Sequence, residues 1–393
     1  MPLTLILRPG RDKAIRQRHP WLFTGAVARR EGSSPDGSAE IRDAAGSLLG
    51  RGFLSPSSPL VARIWSFGEG PVDGPYVGRI VEQAVALRRE VVPPETTGYR
   101  LVHAEGDRLP GLIVDRYGSV LVVQATTEGT ERARPLWLPS LRAFFPDAAV
   151  VQKNALPSRE GEGLSTRDER LAGEVLPRRV PFLERGLRFL ADVEEGQKTG
   201  FFLDQRENRR LVRERAAGRR VLNMFSYSGA FGVAALAGGA SRLAQVDVSR
   251  PALDLARENH EANGQDANRV EFVAADAFED LRRRVAAGEQ WDLVVTDPPA
   301  FAKRKDDVDR ACRGYKDVNR LAMKLLAPGG LLLACSCSGP IAPSLFQQVL
   351  FSASLEAATP VQLLSRHSAG ADHPVSLDVP EGEYLKAFLL RRP

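Results

Sequence analysis

Cysteine is scarce in this 393-residue sequence: Cys312, Cys335 and Cys337 are the whole complement. Three thiols make no disulfide framework. With no export signal in view, the expected compartment is the reducing cytoplasm. Cys-x-x-Cys pairs and histidine clusters are also lacking, so no metal is expected. No run reaches the ~18 apolar residues that a membrane-spanning helix needs, which excludes a membrane partner. The N-terminal stretch MPLTLILRPGRDK has no basic region ahead of its apolar residues and no small-residue cleavage site. It reads as a strand and not as a signal peptide. Internal repeats and low-complexity tracts are missing too.

What is present is 43% hydrophobic and 26% charged, enough for two sizeable cores in two or three domains. The net charge is only +5, but it is unevenly spread. Residues 1–30 hold Arg8, Arg11, Lys13, Arg16, Arg18, Arg29 and Arg30 against Asp12 alone. Such a block suits a polyanion, because phosphate contacts supply the sequence-independent part of nucleic-acid affinity. The competing reading is a solvated charged face.

Three regions differ in pattern. Residues 1–72 carry short strand-like runs (LTLIL, AEIRD, VARIWSF) between Gly, Ser and Pro clusters, the pattern of a small β-rich domain. Residues 73–185 read as a small α+β domain. VGRIVEQAVALRREVV has helical spacing, and GLIVDRY and VLVVQAT meet at a Tyr117-Gly118-Ser119 turn. A helix near Leu136–Phe145 and a strand at AAVVQK follow, and SREGEGLSTRDER is expected to be an exposed loop. Residues 186–393 alternate strand and helix patterns with short connections. That order predicts an α/β domain with a parallel, doubly wound sheet, whose ligands lie beyond the carboxyl ends of the strands.

The strand ends carry the chemistry. The first closes in Asn223-Met224-Phe225-Ser226-Tyr227-Ser228-Gly229-Ala230-Phe231-Gly232. Small residues there let a ligand approach the backbone, and a helix N-terminus favours a carboxylate. The pattern is not G-x-G-x-x-G, which argues against a dinucleotide. The second strand ends at Asp247, followed by Val248, where a carboxylate can accept ribose hydroxyls. The third ends at Asp276 with small Ala277 beside it, suited to an adenine amine and ring. Each Asp alone reads better as a helix N-cap. The ordered set of Gly turn, Asp and Asp reads as an S-adenosylmethionine (SAM) site.

The fourth strand ends in Asp297-Pro298-Pro299-Ala300-Phe301. Two prolines stiffen the tip, and an aromatic there can stack on a base, worth ~1–3 kcal/mol. The fifth ends in Cys335-Ser336-Cys337-Ser338-Gly339. A thiolate adding to carbon 6 of a pyrimidine makes carbon 5 nucleophilic enough to take a methyl group. The competing reading is a buried strand cysteine acting as a small hydrophobe. Residues two apart share a strand face, so periodicity does not separate Cys335 from Cys337, but Cys337 lies nearer the tip.

With these motifs the chain resembles the bacterial large-subunit ribosomal RNA cytosine-C5 methyltransferases of the methyltransferase I type. R-P-G-R-D-K, R-H-P-W-L-F-T-G-A-V and R-G-F-L-S-P look like that family's PUA domain, an RNA-binding β-barrel. L-P-G-L-I-V-D-R-Y-G resembles its middle domain. G-Q-K-T-G-F-F-L-D-Q-R-E-N-R, N-M-F-S-Y-S-G-A-F, D-P-P-A-F, C-R-G-Y-K-D-V-N, S-C-S-G and A-D-H-P-V match its class I, Rossmann-like catalytic domain in order. The resemblance implies Cys337 as nucleophile and Asp297 against the cytosine ring near nitrogen 3. It implies Lys198, Phe202 and Arg206 closing over the cofactor, and Lys316 and His373 on the substrate face with Pro298, Pro299 and Phe301. Arg8, Arg11 and Lys13 would then meet large-subunit ribosomal RNA or its assembly particle, and a homodimer stays open. For Lys198 and Arg206 the alternative is ion pairing with Glu194, Glu195 or Asp204. Two other functions compete: a methyltransferase for a base exocyclic amine, which needs no cysteine, and an inactive RNA-binding or ribosome-assembly factor.

Overall fold

The computed structural model describes residues 2–68, 70–174 and 177–393. The chain forms two compact units. The first comprises Met1–Phe182, Ala191–Phe201 and Ala371–Gly382; the second comprises Leu183–Leu190, Phe202–Gly370 and Glu383–Pro393. Among the described residues no helix is long and apolar enough to cross a membrane.

In the first unit a six-stranded sheet runs in the order Trp21–Leu22, Ala62–Ser66, Leu48–Leu54, Ser38–Arg42, Thr4–Leu7, Val27–Glu31. Its core holds Leu5, Leu7, Ile15, Ile41 and Ile64. A five-stranded sheet follows, with Leu112–Tyr117 and Val120–Ala125 paired antiparallel at its centre around a turn where Gly118 takes a φ of 57°. Helices Gly74–Val91 and Arg134–Phe144 cover it with Val77, Val81 and Trp137. The stretch expected to be an exposed loop is partly structured. Pro157–Gly161 is a short helix and Glu169–Ala172 an edge strand. Arg159 is buried there, donating to the Ala125 carbonyl at 2.6 Å and to Glu131 at 2.8 Å. Its charge suggested solvent, but a buried guanidinium is tolerated once paired and hydrogen-bonded.

The second unit is built on seven strands: β1 (Arg220–Met224), β2 (Arg242–Asp247), β3 (Val270–Ala274), β4 (Trp291–Thr296), β5 (Leu326–Ser336), β6 (Gln362–His367) and β7 (Lys386–Arg391). Their order is β3-β2-β1-β4-β5-β7-β6. The first five are mutually parallel, and β7 runs antiparallel to both β5 and β6. The helices are α1 (Arg206–Arg215), α2 (Ala230–Ala237), α3 (Arg250–Ala262), α4 (Ala277–Ala286), α5 (Val308–Lys324) and α6 (Pro343–Ala357). Alternate residues of each central strand enter different cores. Leu222, Val294, Leu332, Ala334 and Phe388 face one; Val221, Val295, Leu333, Cys335 and Leu389 face the other. Burial on both faces is why these strands read as near-continuous apolar runs.

Polar side chains tie the sheet to α3. Ser249 caps this helix, accepting from the Ala252 N–H at 3.3 Å, and Pro251 occupies its first turn. One buried chain of hydrogen bonds links Asn223 to Gln245 (3.0 Å), Gln245 to His260 (2.7 Å) and His260 to Gln265 (2.6 Å).

Burial holds the His260 imidazole down at about 4, below its usual 6.5, outweighing the opposing Gln265 contact. The unfolded chain therefore takes up a proton that the folded chain refuses. Stability is complete above about pH 6.5 and falls as pH drops to about 4, by up to about 3 kcal/mol. Urea unfolding of the full chain across that window should show this acid slope, and His260→Gln should flatten it. An unchanged slope in a folded His260→Gln protein would remove His260 as the source.

Candidate active site

The β1 tip has a strained backbone. Phe225 and Tyr227 adopt φ values of 57° and 45°, and Gly229 one of 74°. Non-glycine residues in the left-handed region cost of order 1–3 kcal/mol each and persist only where surroundings hold them. Here the Ser226 N–H donates to the Val246 carbonyl at 2.9 Å, and the Tyr227 N–H to Asp247 Oδ2 at 2.8 Å. The Ser226 hydroxyl is buried with no hydrogen-bond partner among the described residues. A buried hydroxyl of that kind suits a polar ligand atom. Gly229 serves geometry. A Cβ there would lie 2.7 Å from Ala256 Cβ and 2.8 Å from Gln245 Nε2, so its bare face packs on α3 and β2. Phe202, ahead of α1, sets its ring edge-on to Tyr227 with centroids 5.2 Å apart.

Asp247 ends β2 half-buried, and its Oδ1 accepts the Ser249 N–H at 2.9 Å. Each carboxylate oxygen therefore holds one backbone donor and keeps further acceptor capacity. Val248 beside it is 77% exposed. Asp276 is the N-cap of α4, taking both the Phe278 (2.9 Å) and Glu279 (3.0 Å) N–H groups on Oδ1. It is exposed, and Ala277 behind it is buried.

The β4 and β5 tips are locked together. Ser338 Oγ accepts the Ala302 N–H at 3.0 Å and lies 2.8 Å from the Tyr315 hydroxyl. Cys337 is half-buried, and its Sγ donates to the Pro298 carbonyl at 3.8 Å. Asp297 is half-buried, Pro298 buried and Pro299 exposed. Phe301 leans on Tyr315, 4.7 Å between centroids, in a row that continues through Phe278 to Phe225. Cys335 differs sharply from Cys337. It is 0% exposed among Val295, Leu333 and Ala387, and burial pushes its thiol well above the usual range.

One group at this tip was passed over in the sequence. Lys386, at the start of β7, is buried, and its Nζ donates to the Ser338 carbonyl at 2.6 Å and the Tyr384 carbonyl at 2.7 Å. The signal was a lone charge opening the apolar run K-A-F-L-L.

The remaining candidates scatter. Arg206 is buried at the start of α1 with Nε 3.5 Å from Glu207, a carboxylate outside those expected for it. Lys198 belongs to the first unit, exposed, with a φ of 52°. Lys316 pairs with Glu356 at 2.7 Å on the α5–α6 surface. His373, expected on the substrate face, has its ring buried in the first unit, 3.1 Å from Asp372 and 5.1 Å from the His103 ring. The cause is the A-D-H-P-V segment itself: Asp372 accepts the Arg100 N–H at 3.0 Å, and its carbonyl accepts from buried Arg88 at 2.8 Å. Arg8, Arg11 and Lys13 are exposed.

The chain is similar to known proteins over its whole length. Residues 148–391 match the family model described as S-adenosylmethionine-dependent methyltransferase, and residues 5–67 one described as a PUA-like domain. Curated relatives named ribosomal RNA large subunit methyltransferase I are 42% identical. The protein from Serratia proteamaculans aligns over 100% of both chains and that from Klebsiella pneumoniae over 98% of both. Among solved structures, a putative SAM-dependent methyltransferase from Streptococcus mutans superposes with a TM-score of 0.84 at 23% identity. A putative methyltransferase complexed with SAH superposes with a TM-score of 0.86, also at 23% identity, and both alignments cover 100% of each chain. At that identity the two structures establish the shared fold.

The glycine geometry at the β1 tip yields a stability prediction. Gly229→Ala combines a left-handed φ with a collision against two packed elements, whereas Gly264→Ala has a φ of 62° and open space. Gly264→Ala should cost about 1 kcal/mol and Gly229→Ala at least about 2 kcal/mol more. Denaturant midpoints of the two variants compare them directly. Equal losses would show that the Gly229 contact relaxes freely.

Proposed function

The chain belongs to the ribosomal RNA large subunit methyltransferase I family of SAM-dependent methyltransferases, and we propose that it methylates carbon 5 of a cytosine in large-subunit ribosomal RNA through a covalent bond to Cys337. The observation that carries this reading is the contrast between the two cysteines. Cys335 is sealed in the core, while Cys337 stands half-buried against the carbonyl of the D-P-P tip.

The residues divide by task. Phe225, Ser226, Tyr227 and Gly229 form the turn for the amino-acid end of SAM, with the Ser226 hydroxyl available to it. Asp247 and Val248 serve the ribose, and Asp276 and Ala277 the adenine. Phe202 bounds the site beside Tyr227. SAM supplies the methyl group. Cys337 adds its sulfur to carbon 6 of the cytosine, and Asp297 lies against the ring near nitrogen 3, assisting protonation as the adduct forms. Carbon 5, now enamine-like, takes the methyl group. Loss of its proton to a base then expels the Cys337 thiolate and restores the ring. Pro298, Pro299 and Phe301 shape the base-facing wall. The exposed Arg8, Arg11 and Lys13 supply phosphate contacts from the PUA-like domain.

Two experiments test this. Cys337→Ala should abolish methylation while SAM affinity stays near normal, and Cys335→Ala should keep substantial activity, because it trades one small buried group for another. Wild-type enzyme on RNA carrying 5-fluorocytosine should give a denaturation-resistant adduct that Cys337→Ala does not form. Fluorine cannot leave as a proton does, so elimination stalls. Normal methylation by Cys337→Ala would end the carbon 5 mechanism and leave a base exocyclic amine as the leading target. Separately, replacing Arg8, Arg11 and Lys13 together should lower the log–log salt slope of RNA binding by about two to three. An unaltered slope would make this block a solvated face.

A further inference from the structure

Lys386 is 3% exposed, and the proposed chemistry gives it no task. A buried ammonium is costly unless it meets a compensating charge or a full set of acceptors. Two of its donors are used by the Ser338 and Tyr384 carbonyls, which are dipoles and carry no net charge. The strand register is what brings it here. β5 and β7 pair antiparallel with Ser336 opposite Lys386, so the lysine enters from beside the residue that precedes Cys337 and is bonded to the residue that follows it.

The charged and titratable groups around this point come from β5 and its tip, the residues ahead of β7, α5, the β4 tip and the residues ahead of α1. Cys337 and Glu383 act directly on the lysine, both favouring its charged form. Glu383 is exposed, so solvent screens it, whereas Cys337 is half-buried. From α5, Tyr315 reaches Ser338 with a hydroxyl that burial pushes up and leaves neutral. Cys335 is held neutral by burial, and Asp297 and Asp204 act on that thiol. Asp204 in turn accepts from the Tyr384 hydroxyl at 2.6 Å. Cys337 is thus the half-buried group adjoining the lysine that can take a negative charge.

We infer that the Lys386 ammonium holds the Cys337 sulfur as a thiolate, making Lys386 a positioning residue for the nucleophile. The thiol proton passes to solvent, the lysine keeps its own, and the two opposite charges stabilise each other across the Ser338 carbonyl. The assignment fits the titration of the lysine. Burial brings it down to about 8 while Cys337 opposes that fall. The inference rests on Cys337 being the nucleophile, but it makes a claim about that thiol which needs no RNA to test.

The test is the pH dependence of Cys337 alkylation by iodoacetamide in the full-length chain, with fragment mass spectra separating Cys337 from Cys335. A free thiol has a midpoint near 8.5. The wild type should show a midpoint below that, Lys386→Gln should move it up, and Lys386→Arg should keep most of the depression. Once the midpoint lies above neutral pH, each further unit of upward movement lowers the thiolate fraction there about tenfold. A lysine with only a packing role would change stability and leave the midpoint alone. A wild-type midpoint at or above the free-thiol value overturns the inference without any variant, so it stays falsifiable should Lys386→Gln fail to fold. An equal midpoint in folded Lys386→Gln overturns it as well. A shifted midpoint beside normal methylation by Cys337→Ala would keep the ion pair and sink the nucleophile. An unshifted midpoint beside a dead Cys337→Ala would do the reverse.

Discussion

Parallel strands that are buried on both faces must end at the same edge, and the chemistry of the second unit follows from that. β1, β2, β3, β4 and β5 run in one direction, so the turns after Met224, Asp247, Ala274, Thr296 and Ser336 come out along one rim. No sequence neighbourhood joins Tyr227, Asp247, Asp297 and Cys337; the ladder does. The rim also has to be stiff, because strained φ values at Phe225 and Tyr227 would relax in a loose loop. Asp247 supplies part of that stiffness, taking the Tyr227 N–H across the strand gap while fixing the start of its own turn at Ser249.

The same logic fixes the thiol. Cys337 lies outside the regular strand, yet both neighbours are tethered. Ser336 sits in the ladder opposite Lys386, and Ser338 gathers the Ala302 N–H, the Tyr315 hydroxyl and the Lys386 ammonium. Ser338 is therefore the node through which the D-P-P-A-F loop, α5 and β7 are referred to one point. A reactive group is positioned more accurately by rigid neighbours than by its own contacts, and a 3.8 Å bond such as that to Pro298 is too long to hold it.

Much of this was legible in the sequence, for identifiable reasons. The central parallel strands stood out as apolar runs because both faces are buried, and the D-P-P and Cys-Ser-Cys-Ser tips marked where two of them end. The hairpin at Gly118 was legible from turn chemistry. What escaped depends on long-range pairing. β7 reads as a plain apolar run, and only its insertion between β5 and β6 gives Lys386 a meaning. Arg159 looked like a surface residue because charge suggests solvent, yet it is buried. His373 reads from its motif as a substrate-face residue, and the same motif braces the interior of the first unit through Asp372. A conspicuous motif shows that residues are constrained and leaves open whether by packing or by ligand.

The carboxylates sharpen that last point, since cap and ligand group are not exclusive roles. Asp276 places both helix N–H donors on Oδ1, at 2.9 and 3.0 Å, so the cap leaves Oδ2 outside these two bonds. Asp247 divides its two backbone donors between its oxygens, and each oxygen has a second lone-pair direction left. In both cases the backbone bonds orient the carboxylate before any ligand arrives, which removes rotamer entropy that binding would otherwise have to overcome. At Asp276 the capping geometry that competes with a ligand role is thus what orients the acceptor; at Asp247, where Ser249 is the N-cap, the bonds from the Tyr227 and Ser249 N–H groups do so. The backbone bonds hold each group still, and the rim of the parallel sheet decides what it faces.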